Sequence, residues 1–118
     1  VTAPVRTLTA AVAEYRAAIA AEAAADDVED YRLRDEGRRS ALRKRSDIEA
    51  ELKTRGHAAL ARLLRMERVT MRAAADAALN AERDPVHRLL DLDLAGRAIG
   101  DVQTYLSDAD ADGRNILG

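Results

Sequence analysis

Apolar residues recur along this chain at helical spacing, and helix is the only period in the pattern. Val5, Leu8, Val12, Tyr15 and Ile19 fall at alternating three- and four-residue steps, one seam of an α-helix with coiled-coil spacing. Thr2 suits an N-cap and Pro4 a first turn, so the spacing predicts a first helix from about residue 4 to Ala25. From Asp26 to Arg55 the pattern changes to charge, with nine acidic and nine basic residues. Asp26-Asp27-Val28-Glu29-Asp30 reads as a new helix start, because acids belong where the helix dipole is positive. No Gly or Pro enforces a break there, so the alternative is one helix over residues 4–54, roughly 75 Å long at the standard rise. Gly37 weakens either version by about 1 kcal/mol relative to Ala.

Gly56, preceded by Lys53 and Arg55, is expected just past the end of this helix. A third helix is predicted from about His57 to Arg83, with Leu60, Leu64, Met71, Ala74 and Ala78 on one face and Leu63 widening it. Asp84-Pro85 is the strongest punctuation in the chain, an N-cap acid followed by Pro at the first helical position. The last helix carries Leu89, Leu92, Ile99, Val102 and Leu106 as a stripe, with Gly96 and Gly100 beside it to permit close backbone approach. The segment 108–118 is rich in Asp and Gly and is read as a flexible acidic tail to a single helical domain over 1–107. The fold class is therefore all-α, an antiparallel bundle of three or four helices, with a very long N-terminal helix as the variant.

Composition sharpens this. There is no Phe or Trp, only three Tyr, and 26 of the 118 residues are Ala. A buried Leu or Val contributes about 1.5–3 kcal/mol and an Ala far less, so the core is thin and the helices have to approach closely. Dimerisation is one way to add burial. The seam of Val5, Leu8, Val12, Tyr15 and Ile19, beside a charge-rich segment with little apolar surface, is the expected interface with a second copy or another helical protein.

Candidate chemistry is sparse. No Cys is present, which excludes disulfides, thiol catalysis and cysteine-ligated metals. Charge-free stretches fall far short of the ~20 apolar residues of a membrane span. No signal peptide is visible, so a cytoplasmic or virion-associated location is expected. Net charge of −2 argues against a dedicated electrostatic binder of nucleic acid. Arg outnumbers Lys 17 to 2, a bias of GC-rich genomes such as those of actinobacteria and their phages.

The basic cluster Arg38, Arg39, Arg43, Lys44 and Arg45 could contact phosphates. Its acidic neighbours at i,i+4 spacing and the lack of stacking aromatics favour a solvated helix face. Asp108, Asp110, Asp112 and Gly113 resemble the opening of an EF-hand calcium loop, with acids at positions one, three and five and Gly at six. The resemblance implies at most an incomplete calcium site, because Asn115 stands at the apolar eighth position and the twelfth lies beyond residue 118. Glu22 and Glu67 extend apolar seams and are expected to pair with Arg or to lie at a seam's edge. With His57 they form a metal-binding alternative, although neither His is preceded by the Glu-x-x-His spacing of di-iron bundles. Both His57 and His87 are expected at the surface. No catalytic set can be named and no cofactor is implied, so a non-catalytic interaction or assembly protein is the leading expectation. A nucleic-acid regulator is the first alternative.

Overall fold

The computed structural model describes residues 6–80 and 82–117. It contains four helices, α1 (Leu8–Asp26), α2 (Tyr31–Thr54), α3 (Ala58–Leu79) and α4 (Pro85–Ala111), and two short strands, β1 (Arg6–Thr7) and β2 (Ile116–Leu117). The fold is all-α with four helices, and the break after Asp26 is real. Thr2, Pro4 and Val5 lie outside the described residues. The first helix starts later than expected, because the Thr7 hydroxyl accepts from the Ala10 N–H at 3.0 Å and makes Thr7 the N-cap. α2 also starts late, where the Asp30 carboxylate accepts from the N–H groups of Arg32 and Leu33.

The remaining boundaries follow the cap chemistry. At Gly56, φ is +83°, and the N–H of His57 donates to the Leu52 carbonyl while that of Gly56 donates to Lys53, a Schellman ending. Asp84 caps α4 by accepting from the Val86 N–H at 2.7 Å, with Pro85 opening the helix. The expectation of a loose tail after Ser107 is overturned. α4 continues to Ala111, and Gly113 (φ +71°) ends it with a second Schellman pattern, Arg114 N–H to the Ala109 carbonyl and Gly113 N–H to Asp110. The chain then pairs antiparallel with β1, Arg6 opposite Leu117 and Thr7 opposite Ile116. Ala109 and Leu117 are buried in the core. The turn chemistry of Asp and Gly ends a helix here instead of opening a loop.

The large apolar side chains of the core are gathered at one end. It combines Leu8, Val12 and Tyr15 from the start of α1 with Ile48 and Leu52 from the end of α2. Leu60 and Leu64 from the start of α3 join Val102 and Leu106 from the end of α4, and Leu117 closes the set. Away from this end the helices pack as two hairpins, α1 on α2 and α3 on α4. Their buried apolar residues there are Ala18, Ala25 and Ala41 in the first hairpin and Ala74, Ala77, Ala95 and Ala98 in the second. The Cα extents are 51 × 37 × 16 Å, so the molecule is broad and about two packed helices thick. Its radius of gyration, 16.3 Å, exceeds the roughly 13.5 Å of a compact domain of this length. Among the described residues no helix is long and apolar enough to cross a membrane.

Gly37 has a local reason. A Cβ there would stand 3.0 Å from the Ala25 Cβ, so the glycine lets α2 lie close against the end of α1.

Candidate functional site

The charged and polar residues singled out by sequence are mostly engaged inside the chain. Glu67, 1% exposed, receives two hydrogen bonds from Arg16 across the α1–α3 contact, at 2.6 and 3.1 Å. That pairing holds the Arg16 guanidinium above its ordinary pKa. Glu22 pairs with Arg45 of α2 at 2.9 Å. His57 is buried, contrary to the expected surface position, because it forms the α2–α3 corner and its Nδ1 lies 2.7 Å from the Tyr105 hydroxyl. Glu22, Glu67 and His57 thus each have a different partner and do not converge. Among the described residues no group of three or more His, Asp or Glu is placed to hold a metal ion.

A further polar set links three helices. The Tyr15 hydroxyl donates to Glu49 at 2.8 Å, and Arg65 donates to the other oxygen of the same carboxylate at 2.9 Å. Burial, reinforced by the hydrogen bond to Glu49, pushes the Tyr15 phenol above its ordinary value. Burial alone would raise the Glu49 carboxyl; the bonds from Arg65 and Tyr15 outweigh it and hold Glu49 below the usual range. Arg6, at the start of the described chain, pairs with Glu14 and with Glu51.

The basic cluster does not form one surface. Arg45 is turned inward, 7% exposed, against Glu22. Arg38 reaches back to Asp26, and Arg39 pairs with Asp35 at 3.0 Å. Arg43 and Lys44 are left on the exposed side of α2. The Asp108, Asp110 and Asp112 set is also separated. Asp108 and Asp110 lie on α4, where a two-residue step turns the side chain by about 200°. Asp110 accepts from the Asn115 side chain, and Asp112 pairs with Arg114 at 2.9 Å. A helical backbone here cannot converge alternate carboxylates on one cation.

The expected interface residues Leu8, Val12 and Tyr15 are core residues of the single chain, and Ile19 is partly buried against the same core. The seam is covered by the chain's own α2, α3 and α4, which corrects the expectation that it waits for another chain. Val5 lies outside the described residues.

The open apolar surface is elsewhere, on α4 and the adjoining groove. Leu89 is 67% and Leu92 58% exposed, and Val86, Leu90 and Leu94 are more than half exposed as well. Ile99 extends this surface into a groove of about 490 Å³ lined also by Ile19, Ala20 and Ala23 of α1 and Met71 of α3, with the Arg16–Glu67 pair at its side. The stripe read from sequence therefore splits. Val102 and Leu106 are interior, and Leu89, Leu92 and Ile99 are not, because the distal part of α4 turns Ala95 and Ala98 inward instead.

Gly96 and Gly100 lie beside these leucines, and a Cβ built on either meets nothing within 4 Å. Among the described residues no neighbour uses the close approach they permit, although each helical glycine costs about 0.5–1 kcal/mol relative to Ala. The signal that could have located this surface is the run Val86 to Leu94, whose five apolar residues spread over about 200° of the helix, wider than one core-facing stripe. No protein-family model, no curated protein and no solved structure matches the chain.

Proposed function

We propose that the chain is a non-catalytic helical interaction module that docks a protein partner on the outer face of α4. The observation that carries this reading is the exposure of Leu89 and Leu92, 67% and 58%, on the part of α4 that turns only Ala95 and Ala98 inward. Clusters of exposed leucine beyond scattered single residues mark interaction surfaces. The reading is further supported by the unusual polar groups, Glu67, Glu49, Arg45 and His57, each of which has a partner on another helix. A role in a larger assembly of a GC-rich bacterium or phage fits the composition.

A photoreactive residue at position 92 tests the reading in cells expressing the full chain. The expected result is a discrete protein adduct that is lost when Leu89→Asp is added. Labelling no different from that given by the same group at position 39, on the charged face of α2, would overturn it.

A further inference from the structure

We infer that the cleft between the two hairpins binds a free anionic amphiphile, a medium-chain carboxylate held by its apolar chain and by Arg68. Leu89 and Leu92 do not line this cleft, so the inference goes beyond the docking reading and does not rest on it. α1 and α3 both run away from the closed end. Past the Arg16–Glu67 bond they leave two hollows of about 490 and 230 Å³, which share Ile19, Ala23 and Met71 as lining. Ile99 of α4 bounds the larger hollow and Arg68 of α3 the smaller. Apolar walls with a few placed polar groups are the ordinary features of a small-molecule site. Along α1 the lining extends from Arg16 to Ala23, about 10 Å at the helical rise, a length that suits a medium chain.

The charges select the headgroup. Arg16, Glu22, Glu67, Arg68 and Arg72 line the two hollows. Arg16 is bonded to Glu67, Glu22 to Arg45, and Arg72 pairs with Asp76 at 3.7 Å. Among the described residues Arg68 has no ion pair, and its Nε is buried without an acceptor. A buried donor left without an acceptor is costly, and an incoming anion restores the missing bond. With the other charges paired, the cleft presents one cation beside apolar surface. A carboxylate matches it, because its two oxygens accept parallel N–H bonds from a guanidinium fork. Its chain then extends over Met71, Ile19 and Ala23. A cationic amphiphile would meet Arg68 and Arg72, and an uncharged one would leave the buried Nε as it is. A recess of this size takes one molecule at a time, so the source is a free carboxylate and not a bilayer headgroup.

Decanoate, kept below its micellar concentration, is titrated into the full chain, with decylammonium as the probe of opposite charge. Binding is followed by calorimetry and by methyl NMR. Expected are saturable binding, shifts of the Ile19, Met71 and Ile99 methyl signals, and an affinity for decanoate at least about tenfold above that for decylammonium. Arg68→Gln is expected to remove that preference, and Arg68→Lys, which keeps the charge without the fork, to retain part of it. Ala23 is exposed, and Ala23→Trp fills the space common to both hollows. It is expected to abolish binding while the helical circular dichroism is unchanged.

Equal affinity for the two probes, a preference that survives Arg68→Gln, or binding that survives Ala23→Trp overturns the inference. The first comparison uses the unmodified chain and does not depend on any variant folding. Binding to anionic phospholipid vesicles that matches binding to free decanoate, and likewise needs Arg68, would assign the cation to a membrane surface and overturns it as well.

Discussion

Leu60 and Leu92 are the same side chain on helices of similar length, yet one is wholly buried and the other is 58% exposed. The difference belongs to the two ends of the molecule. At the closed end, where all four helices meet, they are held apart by Leu, Ile, Val and Tyr, and these large residues fill the space between them. In the distal hairpins the helices meet through Ala and Gly37, and packing close leaves room for nothing larger. Leucines on the same helices are displaced to the flanks. Burial in this chain therefore follows how many helices converge at a level, more than the hydrophobicity of the residue.

The sharpest way to break this comparison is to truncate the two leucines, with both proteins measured at dilutions where the chain is single. Leu60→Ala is expected to cost about 2–5 kcal/mol in denaturant unfolding, and Leu92→Ala less than about 0.5 kcal/mol. Equal losses would show that the distal arm has a core of its own. Next in size is the polar pair at the boundary between the two regions. Arg16→Ala leaves the Glu67 carboxylate buried without its partner and is expected to cost about 3 kcal/mol, while replacing both residues by Met is nearly neutral. A cost for the double variant equal to that of Arg16→Ala would contradict this account.

Leu117→Ala sharpens the closed end. The side chain completes the core from a strand that binds the start of the chain, so a loss of about 2 kcal/mol is expected by thermal unfolding. No change would restore the view that the segment after α4 is an appendage. A smaller effect depends on pH. Tyr15 is raised in the folded state, so its contribution is full below the ordinary value of 10.0 and is lost as pH rises through the folded pKa. Glu49 is lowered, so its contribution is present above 4.5 and fades as pH falls through its folded pKa. Tyr15→Phe is expected to flatten the alkaline limb of a stability–pH curve and to weaken the acid limb without abolishing it, because Glu49 loses one of its two donors and keeps Arg65.

The smallest effect contrasts glycines. Gly100→Ala, in open space, is expected to stabilise the single chain by about 0.5–1 kcal/mol. Gly37→Ala gains less, because its new methyl meets Ala25.

Much of the fold was legible from local chemistry. Asp84-Pro85 and Gly56 mark true boundaries because capping depends on a few adjacent residues. The Val12–Tyr15 seam was readable as apolar, but not as internal, since its covering residues, Ile48, Leu64 and Val102, come from three other helices. The same limit applies to α4, where Leu92 and Val102 share an apolar pattern and differ only in what lies opposite them. Gly113 shows a further ambiguity. A glycine among acids suits the sharp turn of a calcium loop, but the positive φ it takes here equally suits a helix ending. The pairing of Glu67 was anticipated in kind, an arginine partner, although the residue that supplies it, Arg16, lies 51 positions away.

The contrast between the two ends is tested most directly by methyl NMR of the intact chain with a soluble nitroxide, at a dilution where it is single. The methyl signals of Leu89 and Leu92 are expected to broaden strongly while those of Leu60 and Leu64 persist. Protection of Leu89 and Leu92 in the single chain, equal to that of Leu60, would contradict it.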